Sequence, residues 1–129
     1  MGIAVEWTMS EANVIAMTVE GKWTWDDLSG AMNAAHDMMD ATSYDAIDFL
    51  LDMRHCDILP SNILSRMKHV SQHHHPKSRD MVVVGAGRFA DTLFNLMERI
   101  MPQRMQHIKL VQTLDEAHQY FRQTQAMRV

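Results

Sequence analysis

The sequence is short of the residues that staple, punctuate or anchor a chain. It has one cysteine, Cys56, in 129 residues, which excludes an internal disulfide framework and points to a reducing compartment. Its three prolines and five glycines form no linker, repeat or low-complexity tract. No apolar run approaches the ~18 residues of a membrane span. Positive charge is scarce: 12 Lys and Arg against 16 Asp and Glu give a net charge of −4, which argues against a general nucleic-acid partner. Residues 1–6 lack a basic segment leading into an apolar stretch, so they do not read as a secretory signal. Glu6 stands where a myristoylation pattern needs Ser or Thr. The expectation is a cytoplasmic chain forming one domain over 1–129, long enough to bury roughly 68% of its unfolded surface.

What is present is regular. Ile3, Val5, Trp7 and Met9 alternate with Ala4, Glu6 and Thr8 as in a half-buried strand, and Ile15, Met17 and Val19 resume that period after a polar turn. Thr24 followed by Asp27 makes a capping box. Trp25, Leu28, Met32, Ala35 and Met39 then form one apolar stripe, which predicts a helix over 25–41. Residues 46–53 are nearly continuous in hydrophobicity, as in an interior strand covered on both faces, and residues 54–59 read as a loop. A second helix is expected from Pro60 and Ser61 to His75, where Pro76 ends it. Met81–Val84 is a short buried strand, Gly85-Ala86-Gly87 a tight connection, and Phe89, Leu93, Leu96 and Ile100 mark a helix that Pro102 stops. A strand over 107–112 and a capping box at Thr113 and Glu116 open the last helix, through Ala117 and Phe121. The order β-β-α-β-α-β-α-β-α implies an α/β domain: a mixed, mostly parallel sheet with an N-terminal hairpin and about four helices.

Four stretches resemble a known family. They are Val19–Asp27, the strand ending Leu50-Leu51-Asp52-Met53-Arg54, Met81–Gly85 and Thr113–Ala117, and together they resemble the STAS-like domains, in particular the SpoIIAA-like branch of anti-sigma-factor antagonists. The resemblance implies a non-enzymatic regulatory module that binds a protein partner, with some members taking lipid or nucleotide ligands. In the antagonists a strand ending in Asp leads to an Asp-Ser-Ser-Gly-like helix start whose serine is phosphorylated. The matching stretch here is Pro60-Ser61-Asn62-Ile63, so Ser61 overlays one serine while Pro60, Asn62 and Ile63 depart from the pattern. Ser61 reads first as a helix cap and second as a phosphosite, where the helix dipole would favour a phosphate.

Other residues look like chemistry and have plainer readings beside it. Gly85-Ala86-Gly87-Arg88-Phe89-Ala90 fits a dinucleotide fingerprint, but no strand-end carboxylate follows at the required distance; tight turning is the simpler reading, with Arg88 the anion contact in the other case. His69 and His73 share a helix face and His74 and His75 follow, yet no third ligand is evident, so no metal and no cofactor is expected. Arg66, Lys68, Lys77 and Arg79 make a positive patch, either a solvated face or a dock for an acidic partner or anionic lipid. His55-Cys56-Asp57 are neighbours in sequence, which productive triads rarely are. Of the thirteen methionines, Met32, Met39, Met67 and Met97 sit at core spacing, whereas Met38, Met101, Met105 and Trp23 are candidates for a homodimer or partner surface. Binding sites in open α/β sheets lie at the carboxyl ends of strands, which selects Asp52, Arg54, Asp57, Ser61 and Asn62. The expected function is protein binding; the alternative is a small molecule or lipid held between sheet and helices.

Overall fold

The computed structural model describes residues 2–8, 11–58, 61–62, 65–66, 68 and 75–127, with the side chains of 57, 126 and 127 left aside. Five strands form one sheet in chain order: β1 (Gly2–Trp7), β2 (Val14–Lys22), β3 (Ile47–Ile58), β4 (Ser78–Val84) and β5 (Ile108–Val111). β1 pairs antiparallel with β2, and every later pair is parallel. This is the mixed, mostly parallel α/β sheet that the alternation of patterns predicts. The hairpin turn ends at Asn13, whose φ of 55° is a left-handed conformation that Asn tolerates better than most residues. The Asn13 amide nitrogen donates to the Ala46 carbonyl at 2.9 Å, which ties the turn to the start of β3.

Helix α1 (Trp25–Ala41) begins where the capping box places it. The Thr24 hydroxyl accepts from the Asp27 N–H at 3.1 Å, and the Asp27 carboxylate accepts from the Thr24 N–H at 2.9 Å. Ala31, Ala35 and Met39 are its buried residues. They pack with Ile15, Met17, Ile47 and Phe49, and Ile3, Val5 and Trp7 of β1 close that cluster from the side. Helix α2 (Ala90–Ile100) buries Leu93 and Met97 against Met53 and Val83. Helix α3 (Leu114–Met127) buries Ala117 and Phe121 against Val14, Leu50, Val82 and Val84. Alternate residues of β3 therefore go to opposite faces: Ile47, Phe49 and Met53 to the α1 and α2 side, and Leu50 to the α3 side.

Several details differ from the sequence reading, each for a local reason. β2 is covered on both faces, because α3 buries Val14 on the side opposite Ile15. β3 runs on to Ile58, since β2 continues to Lys22 and pairs with His55, Cys56 and Ile58 across irregular register; residues 54–58 are strand, not loop. A 3-10 segment, Pro102–His107, precedes β5. The box at α3 is only half formed: the Glu116 N–H donates to the Thr113 hydroxyl at 3.2 Å, but that hydroxyl, rather than the Thr113 N–H, meets the Glu116 carboxylate. Of the second helix, Ser65, Arg66 and Lys68 are helical; Met67, His69, His73 and His74 lie outside the described residues.

Candidate functional site

Parallel strands give the sheet two chemically distinct ends. At the carboxyl end, β3 passes its last β4 partner, the Asp52–Val84 pair, and continues for six residues beside β2 alone among the described strands. Asp52 and Arg54 lock the base of this projecting arm. The Arg54 N–H, Nε and Nη2 donate to the Asp52 carboxylate at 3.1, 2.9 and 2.8 Å. Burial pushes the Asp52 carboxyl up, but the hydrogen bonds and charge of Arg54 outweigh it, so the group is held below the ordinary carboxylate range. Gly85 is what lets Arg54 lie there: its φ is 67°, and a Cβ would come within 2.4 Å of the Arg54 Cγ.

Beyond that clamp the arm is exposed at His55 and half-buried at Cys56, whose thiol faces the Ile58 carbonyl at 3.6 Å. Ile58 is 52% exposed. Ser61 and Asn62 are exposed in a turn. The Trp25 indole donates to the Ser61 carbonyl at 2.9 Å, which ties the turn to the start of α1, and Trp23 stacks edge-on against Trp25 at 5.4 Å. The Trp23 indole nitrogen is buried without a partner among the described residues. Of the residues selected from the sequence, Asp52 and Arg54 are thus in contact, whereas the Ser61–Asn62 turn, beyond the arm, is tied to Trp25; the Asp57 side chain lies outside the described residues.

The N–H groups that a Ser61 cap would serve, two and three positions on, lie outside the described residues. The Asn62 carbonyl accepts from the Arg66 N–H at 3.1 Å and from the Ser65 hydroxyl at 3.3 Å, and Asn62 itself has φ 59°. The positive patch also divides. Arg66 and Lys68 are exposed, but the Lys77 ammonium donates to the Met39 and Thr42 carbonyls at 3.0 and 2.9 Å, closing the end of α1, which has no basic residue in its own last turn. Arg79 is engaged with Asp48. Met38, Met101 and Met105 are half-buried against the core clusters. The Arg88 guanidinium lies 4.9 Å over the Phe89 ring. Among the described residues no three His, Cys, Asp or Glu side chains converge to hold a metal, and no helix is long and apolar enough to cross a membrane.

The amino end of the sheet holds the polar constellation that sequence reasoning missed. Asp48, fully buried, accepts from Arg79 Nε and Nη2, both at 3.0 Å, and from the Asp80 N–H at 3.1 Å. Those contacts hold the Arg79 guanidinium more firmly protonated. Asp80 meets His107 Nδ1 at 2.9 Å and accepts from the Tyr120 hydroxyl at 3.3 Å. Buried Glu11 faces His118 Nδ1 with both oxygens, at 3.0 and 2.9 Å. A charged residue inside an apolar strand was the available signal for Asp48, but its partner thirty-one positions away leaves no local trace. Beside this constellation an open pocket of about 440 Å³ lies between the hairpin tip and the end of α1. Compared with known proteins, the sequence matches no family model, and no curated protein is significantly similar to it.

Proposed function

We propose that the chain is a non-catalytic, STAS-like regulatory domain of the SpoIIAA-like kind that binds a protein partner through the carboxyl end of its sheet. The observation that carries this reading is the projecting end of β3: its base is locked by the Asp52–Arg54 clamp, and its tip presents Ile58 at 52% exposure. An exposed aliphatic side chain at a strand end, followed three and four positions later by exposed Ser61 and Asn62, supplies the residue types of an interface's apolar centre and polar rim. The antiparallel β1 on an otherwise parallel sheet is the hairpin that the alternation of residues 3–20 predicts. Ser61 is the position on this surface where a phosphate would switch binding. Its side chain is exposed, and a phosphoserine would add up to about two negative charges.

A photo-crosslinking residue in place of Ile58, introduced in the native host, tests the surface directly. A single protein is expected in the crosslink, and Asp57→Ala and Ser61→Asp are expected to change its affinity for the purified domain without unfolding it. Variants that bind the captured protein as wild type does would show that the surface is wrong.

A further inference from the structure

Independently of that docking surface, we propose that the pocket at the amino end of the sheet is a binding site for a small, uncharged planar aromatic molecule bearing a hydrogen-bonding oxygen. Its volume of about 440 Å³ falls in the range of small-molecule sites. Trp7 and Tyr44 form one wall, with ring centroids 6.0 Å apart and planes at 65°. Met38 and Ala41 at the end of α1 line it as well. Ring edges and a thioether suit an inserted aromatic ring, which gains offset or edge contacts from the former and a sulfur contact from the latter.

The polar atoms of the same pocket fix the ligand's chemistry, because most are already engaged. Both Glu11 oxygens face His118. Asn13 donates to the Ala46 carbonyl and accepts from Gln125 at 2.8 Å. The Thr8 hydroxyl donates to the Glu11 carbonyl at 2.8 Å, and the Thr42 hydroxyl accepts from the Tyr44 N–H at 3.4 Å. By contrast, the Trp7 indole N–H and the Tyr44 hydroxyl have no hydrogen-bond partner among the described residues. A donor-only indole and a phenol are matched by an oxygen at the edge of a ring. Charge disfavours an anion: Glu11 lines the pocket and exposed Asp45 follows the lining residue Tyr44 in sequence, while the Lys77 ammonium is engaged at the end of α1.

The test is a titration of the full chain with 2-naphthol, followed by amide and indole N–H resonances, with naphthalene-2-sulfonate as the anionic counterpart. Saturable shifts are expected at the Trp7 indole and at Thr8, Ala12, Thr42 and Tyr44, with a Kd of about 1 mM or tighter for so small a probe, and weaker binding of the sulfonate. Tyr44→Ala, at a position already 42% exposed, is expected to keep the wild-type melting temperature and weaken 2-naphthol by about tenfold. Ala41→Leu, also at an exposed position, fills the pocket and is expected to do the same. Shifts that fail to saturate, shifts centred on Trp23 and Trp25, equal or tighter binding of the sulfonate, or wild-type affinity in both folded variants would each overturn the proposal.

Discussion

The two ends of the sheet spend their charged residues differently. At the amino end, Glu11, Asp48 and Asp80 are buried, and the partners of Glu11, His118 and of Asp80, Tyr120 and His107 come from distant elements. At the carboxyl end the buried acid, Asp52, is held by a residue two positions away, and the arm that follows buries Met53 but exposes Arg54, His55 and Ile58. Acids joined across elements lock strands, hairpin and α3 to one another, because each buried carboxylate destabilises the fold unless its partner is in place. A clamp between near neighbours shapes one strand and leaves its surroundings free to meet a partner. The contrast teaches that burial of a carboxylate marks fold or function only once the sequence distance to its partner is known.

Removing a partner at the amino end should therefore cost most. Arg79→Ala leaves Asp48, with 0% of its side chain exposed, without its guanidinium, and the expected loss is about 3–5 kcal/mol, a large part of the 5–15 kcal/mol typical of a domain. Urea denaturation measures it. The double replacement Asp48→Leu with Arg79→Met should recover most of that loss, since matched apolar residues avoid the burial cost of both charges. A loss below about 1 kcal/mol for Arg79→Ala, the size expected of an exposed pair, would erase the contrast. His118→Ala comes next, at about 1–3 kcal/mol, because Glu11 would remain buried at the hairpin tip without its imidazole. Hydrogen exchange of the Thr8 amide, which donates to the Val14 carbonyl at 2.9 Å, should then accelerate with the loosened tip.

Legibility in the sequence follows the same division by distance. Local devices were readable: Thr24 with Asp27 and the stripe ending at Met39 place α1 at Trp25–Ala41. The alternation through Ile3, Val5 and Trp7 gives β1 its half-buried face. What escaped was long-range. Residues 54–58 carry no strand pattern of their own and extend because β2 pairs with them. Lys77 and Arg79 look like surface cations until the Thr42 carbonyl and Asp48 are brought to them. Of the candidate site, the position of Asp52 and Arg54 at a strand's carboxyl end follows from the rule for strand ends, whereas the Trp25 bond to the Ser61 carbonyl and the pocket beside Trp7 and Tyr44 join distant elements and have no signature in order or spacing.

The carboxyl-end clamp should titrate, with a modest effect. Its folded carboxyl lies below the ordinary range, burial being outweighed by the hydrogen bonds and charge of Arg54. A lowered folded value means that the stabilisation is fully present above the unfolded-chain value of about 3.9 and disappears as pH falls through the folded value. Arg54 has 41% of its side chain exposed, so water screens the pair and the expected effect is about 1 kcal/mol. Asp52→Asn should be less stable than wild type by that amount at neutral pH, and the two curves should converge in acid. A constant offset at every pH would assign the difference to packing rather than charge.

The smallest stability effect is expected at the tip of the arm, and it sharpens the comparison most. Ile58→Asp replaces an exposed side chain on a strand end that meets only β2 among the described strands. Its cost should stay within about 0.5 kcal/mol, as for surface substitutions generally. If Ile58 is the apolar centre of an interface, the same change places a charge where a partner must exclude water, a mismatch that costs about 2 kcal/mol or more at interface hot spots. Stability and binding should therefore separate at this residue, whereas at Arg79 the expected loss is one of stability. Equal loss of both at Ile58, read by denaturation beside partner capture, would make the arm part of the scaffold and transfer the search for function to the pocket at the other end.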